Sequence, residues 1–97
     1  MVYLLHFDPP YKHAGHYLGS TPDDRLEERF REHCAGRGSK LTAAARAGGS
    51  DLVLARTWPG GRQEERRIKG RAGHGSNHSH RRLCPICKAG QENARSA

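Results

Sequence analysis

Arg25, Arg29 and His33 follow one another at intervals of four residues in the stretch HYLGSTPDDRLEERFREH, residues 16–33, so a helix there carries two guanidinium groups and an imidazole along one side. A helix of that length is held by packing an apolar stripe on a core, and a polar stripe beside it needs its own explanation. Guanidinium groups grip phosphate oxygens through paired N–H donors, which makes phosphate the first ligand to consider. A second constellation is Cys84-Pro85-Ile86-Cys87, a C-x-x-C spacing that lets two thiolates hold one tetrahedral Zn²⁺. Such a site needs four ligands, and the histidines just upstream, His74, His78 and His80, make a His/His/Cys/Cys set, with His78 and His80 the expected partners. A reduced, metal-free pair and a redox pair are the competing readings of the same motif.

Seventeen lysines and arginines stand against ten aspartates and glutamates, a formal charge of +7 before any of seven histidines is protonated. That balance favours an anionic partner, and 13 arginines to 4 lysines favours phosphate, so DNA is the expected partner. A solubilising surface charge is the plainer reading of the same numbers. Hydrophobic residues make up only 34% of the chain and concentrate before Trp58. We therefore expect a compact domain over residues 1–70 and a basic tail containing His and Cys over residues 71–97. A domain that small buries only about 60% of its unfolded surface, which leaves room for support from an ion, a second subunit or a protein partner. No apolar run approaches the roughly 20 residues that span a bilayer, and no signal peptide is recognisable, so the expectation is a cytoplasmic protein with no membrane partner.

The elements that must position these groups can be read in order. MVYLLHF, residues 1–7, is a β-compatible run expected to end at Asp8-Pro9-Pro10, and AGHYLGST, residues 14–21, resumes it as the second strand of a hairpin. Thr21 or Ser20 is placed to cap the next helix, which should run from Pro22 to Cys34 with Leu26 and Phe30 as its buried pair. GRGSKLTAAARAGG offers a loop and a short helix over residues 41–47. DLVLARTW, residues 51–58, is a clear strand closed by Pro59-Gly60-Gly61, and RQEERRIKGR forms a last helix. The order β-β-α-(α)-β-α describes an α+β plan, a three-stranded antiparallel sheet flanked by helices.

In this order the residues resemble the GIY-YIG endonuclease family. Met1-Val2-Tyr3 stands where the family's first tripeptide falls and Tyr17-Leu18-Gly19 where the second falls. Arg29 and His33 keep the four-residue spacing of the family's helix, GRGSKLT resembles its glycine-rich GAKYT-type segment, and Glu65-Arg66-Arg67-Ile68-Lys69 follows its E-x-x-I-K pattern. The likeness covers residues 1–69 and implies metal-dependent hydrolysis of a DNA phosphodiester. It implies that Tyr3 and Tyr17 border the reacting phosphate, one acting as or assisting the general base. It further implies that Arg29 stabilises phosphate charge, that His33 binds phosphate or relays a proton, and that Glu65 holds one Mg²⁺ or Mn²⁺. An even hairpin register would turn both tyrosines to one sheet face. Lys40, Thr42, Arg67 and Lys69 are the expected DNA contacts within the domain, and Asn77, Arg81 and Arg82 those beyond it.

Alternatives stand beside this set. Arg25 replaces Arg29 if the helix begins differently, Glu64 competes with Glu65 for the metal, and both tyrosines read as ordinary sheet aromatics without the motif. A non-catalytic DNA-binding module with a degenerate nuclease site is the second functional reading, and a zinc-stabilised interaction protein is the third.

Overall fold

The computed structural model describes residues 1–12, 14–71 and 83–89. Strand β1 spans Val2–Tyr11 and β2 spans Ala14–Ser20. A single 3-10 turn at Asp23–Arg25 leads into helix α1, Leu26–Cys34, and α2 follows at Lys40–Ala47. Strand β3, Asp51–Trp58, and helix α3, Arg62–Arg71, complete the set. The sheet is three-stranded and antiparallel in the order β2-β1-β3, so the α+β plan expected from the sequence is the one observed. Among the described residues, no helix is long and apolar enough to cross a membrane.

Two local expectations need correction. Strand β1 does not end at Phe7: its pairing with β3 continues to Asp8, the residue before the prolines. The β1–β2 register lapses between His6 and Tyr11, where Pro9 and Pro10 offer no N–H to a ladder, and the β1–β3 register shifts between Leu4 and Leu5. Neither Ser20 nor Thr21 caps the helix, since no side-chain cap bond is made at Pro22 or Arg25. The 3-10 turn takes up the first residues instead. Beside it the Met1 amino group lies 2.8 Å from the Thr21 carbonyl oxygen and 2.8 Å from the Asp23 carboxylate. Helix α2 is capped on its own side chains, with Ser39 and Thr42 forming a reciprocal capping box.

Side chains alternate across a strand, so the hairpin sends consecutive residues to opposite faces. Tyr3, Leu5, Phe7 and Leu52 form one core with Ala45 of α2, and Leu26, Phe30 and Tyr17 pack around it. Val2, Leu4, Leu18 and Ile68 form the other, and Cys84 belongs to it as a fully buried member with Leu83 and Cys87 against it. Residues 83–89 therefore sit on the sheet, held further by an Arg56 guanidinium that donates to the Leu83 carbonyl at 3.4 Å. The expected pair of α1, Leu26 and Phe30, is only half-buried, and the fully buried residue of that helix is His33.

Candidate functional site

His33 is buried among polar partners. Its Nε2 lies 2.7 Å from the Tyr3 hydroxyl and its Nδ1 lies 2.8 Å from Thr42 Oγ1. The Thr42 hydroxyl donates to the Ser39 carbonyl at 3.3 Å and accepts the Ser39 N–H at 3.2 Å. Ser39 Oγ also lies 2.9 Å from Thr42 Oγ1; with the Thr42 proton directed to Ser39, Thr42 accepts from His33 Nδ1–H and Nε2 accepts the Tyr3 O–H. A continuous buried chain runs from the hairpin through tyrosine, imidazole and threonine to the N-terminus of α2.

Two glycines make this packing possible. A Cβ on Gly38 would stand 2.1 Å from His33 Nδ1, and one on Gly19 would stand 2.8 Å from the Tyr3 hydroxyl and 2.9 Å from the Tyr17 ring. Both positions are clefts that a single methyl group would fill. Tyr3 and Tyr17 do face the same side of the sheet, because Tyr3 pairs with Gly19 and Leu5 with Tyr17. Their ring centroids are 6.2 Å apart, and the Tyr17 ring is 5.0 Å from that of His33.

Arg29, one turn before His33, has three polar neighbours. One amino group donates to Glu32 at 2.9 Å and the other to the Gly38 carbonyl at 2.9 Å; the third neighbour is Tyr3, whose phenol feels the guanidinium charge. Arg25 lies in the 3-10 turn before α1, outside this cluster, and makes a 3.7 Å exposed pair with Glu28. An open groove along α1 is lined by Thr21, Pro22, Arg25, Glu28, Arg29 and Glu32. Of the two carboxylates on α3, Glu64 is engaged by Arg67. Glu65 is 3.2 Å from Lys69 Nζ, and its charge reaches Tyr3.

Burial sets the proton affinities. It pushes the Tyr3 phenol up to about 12, with Tyr17 and Glu65 adding to the rise and Arg29 opposing it. It pulls His33 down to about 4, the Arg29 cation adding to the fall and Glu32 opposing it. At neutral pH the pair is therefore a protonated phenol facing a neutral imidazole.

Thr42, expected to contact DNA, is fully buried and orients His33 instead. Lys40 and Arg67 are exposed, whereas Lys69 is half-buried against Glu65. Asn77, His78, His80, Arg81 and Arg82 lie outside the described residues.

The opposite face carries a group that could hold a metal ion. His6, His16, Cys84 and Cys87 bring one donor atom each to within 4.8 Å of all the others, and neither cysteine is tied up in a disulfide. The sequence places the two cysteines in such a site, and among the described residues the partners beside them are His6 and His16; the expected His78 and His80 lie outside the described residues. The hairpin brings in a histidine 78 residues away from Cys84. The usable sequence signal was parity, since residues 6 and 16 share the face opposite Tyr3 and Tyr17.

The chain matches no known family model, no curated protein and no solved structure, so the functional reading rests on the site itself.

Proposed function

We propose that the protein is a metal-dependent DNA endonuclease that hydrolyses phosphodiester bonds, with Tyr3, Tyr17, Arg29, His33 and Glu65 as its working residues. The observation that carries this reading is the buried Tyr3–His33–Thr42 chain with the Arg29 charge beside the phenol. An ordinary sheet tyrosine needs no imidazole hydrogen-bonded at both nitrogens behind it.

A phenol held near 12 is not a stored tyrosinate, so Tyr3 acts as a base only by passing its own proton on. Attack by water on phosphorus would move a water proton to the Tyr3 oxygen while the Tyr3 proton moves to His33 Nε2. The P–O bond to the leaving sugar oxygen would then break, that oxygen taking a proton from solvent water while the protonated His33 releases its own to solvent. His33 is a weak base in the free protein, but an anionic phosphate close by raises its affinity for the proton. Arg29 keeps N–H donors beyond its bonds to Glu32 and Gly38, since a guanidinium has five. It stands where it can offset charge growing on the phosphate oxygens. Tyr17, beside both rings, would flank the phosphate.

Glu65 is the oxygen donor suited to one Mg²⁺ or Mn²⁺, hard ions that take one or two carboxylates and keep the rest of their shell as water and phosphate. When bound, such an ion supplies charge stabilisation at the phosphate. The basic surface would position the DNA backbone, through contacts that weaken with salt. Thiolate and imidazole are softer donors, and the His6, His16, Cys84 and Cys87 group favours Zn²⁺.

The alternative is a DNA-binding module without catalysis, and one observation favours it: Lys69 already neutralises Glu65. Nicking of supercoiled plasmid and of a labelled branched DNA, with Mg²⁺, Mn²⁺ or EDTA, separates the two readings. The nuclease reading expects metal-dependent product that Glu65→Gln and Arg29→Ala both remove. Salt-sensitive binding without product in any metal would move the conclusion to the binding module.

A further inference from the structure

We propose that His6, His16, Cys84 and Cys87 bind one Zn²⁺ in a closed structural site that staples residues 83–89 to the hairpin and fixes the strand register of β1 and β2. This inference does not depend on the nuclease reading.

The distances carry it. His6 Nδ1 and His16 Nε2 are 3.3 Å apart, Cys84 Sγ is 3.5 Å from His6 Nδ1, and Cys87 Sγ is 3.7 Å from His6 Nδ1 and 3.4 Å from His16 Nε2. Tetrahedral zinc with bonds of about 2.05 Å to nitrogen and about 2.3 Å to sulfur has edges of about 3.3 Å between nitrogens and about 3.5 Å between nitrogen and sulfur. Four of the six donor–donor distances thus match the edges of a zinc tetrahedron, and the other two lie within 4.8 Å. The donor set selects the ion as well, since oxygen-preferring Mg²⁺ and Ca²⁺ gain little from two sulfurs. Two thiolates balance the charge of Zn²⁺, which makes burial tolerable for a group in which Cys84 is 0% and His16 is 3% exposed. Four protein ligands leave no open position, so the site is architectural.

Its location gives it a purpose. His6 and His16 are direct cross-strand partners, and they form the last regular pair before the register lapses between His6 and Tyr11. A slip of one residue there would put Tyr3 and Tyr17 on opposite faces. An ion bound to both histidines forbids that slip, and the C-x-x-C knuckle brings Leu83 and Cys84 onto Val2, Leu4 and Leu18. Apolar contact of a short helical segment is weak on its own, and the metal supplies the missing constraint.

The test is metal analysis of the intact chain followed by Co²⁺ replacement. We expect about one zinc per chain, and a Co²⁺ form with the absorption of a tetrahedral two-thiolate site. Cys84→Ser and the double variant His6→Asn/His16→Asn should lose both signals, while Cys34→Ser and His78→Asn/His80→Asn should keep them. Native-state amide exchange guards against variants that fail to fold: stripping zinc from the wild-type chain should speed exchange in residues 2–7, 14–20 and 83–89 at least tenfold. A folded wild-type chain that binds neither Zn²⁺ nor Co²⁺, or full zinc retained by the His6/His16 variant, overturns the site. Unchanged exchange in the hairpin after zinc removal overturns the staple.

Discussion

His33 and the pair His6/His16 lie on opposite sides of one small sheet, and their surroundings differ in kind. His33 is enclosed by hydroxyl groups and a guanidinium, partners that hold a proton in place. His6 and His16 face thiols, partners that hold a soft metal. Strand alternation is enough to build both, because Tyr3 and Tyr17 point one way while His6 and His16 point the other. The difference teaches that histidine alone says little about chemistry; the atoms within 3 to 4 Å of it decide between proton relay and metal ligand.

The sharpest way to break this comparison is to disable one face and watch the other. Glu65→Gln should remove about 4 kcal/mol of barrier lowering, on the order of 10³-fold in cleavage rate. Zinc content and thermal midpoint should stay at wild-type values. A loss of zinc in this variant would show that the faces are not separable.

Next in size are the glycine clefts. A methyl group on Gly38 would meet the His33 ring, and one on Gly19 would meet both tyrosines. Gly38→Ala and Gly19→Ala should each destabilise by about 1–3 kcal/mol, measured by urea titration, and should depress cleavage with little effect on DNA binding. Ala at Gly15 has open space around it and serves as the control.

Acid stability is smaller and has a definite sign. His33 binds its proton with a pKa of about 4 when folded, against an ordinary value of 6.5. Between those values the unfolded chain binds more protons, so stability falls as pH falls through the window. The slope contributed is at most about 1.4 kcal/mol per pH unit. Denaturant midpoints at pH 7, 6 and 5 measure it, and His33→Gln should flatten the trend.

The smallest effect belongs to Arg25. Its pair with Glu28 is long and exposed, so Arg25→Ala should change stability by less than about 0.5 kcal/mol while weakening the salt dependence of DNA binding. Arg29→Ala should do far more, since it strips the cation from beside the Tyr3 phenol.

The sequence showed the element order, both tyrosines, the Arg29–His33 spacing and the cysteine knuckle, because each is a local pattern of type and interval. It did not show that Thr42 faces inward, since a threonine in a basic loop also suits a DNA contact. The capping box with Ser39 settles the matter by turning the Thr42 hydroxyl toward His33. Nor did it show that zinc-type ligands come from the strands, because pairing Cys84 with His6 is a tertiary event. Proline chemistry misled at Pro9, where the extended backbone continues after ladder pairing to β2 has lapsed.

The most direct test of the division between the two faces is a single-turnover cleavage assay on zinc-loaded protein, with Mg²⁺ added or withheld and zinc measured in the same sample. The account predicts cleavage only with Mg²⁺ and an unchanged zinc content throughout. Cleavage that persists without Mg²⁺ and follows zinc occupancy would contradict it.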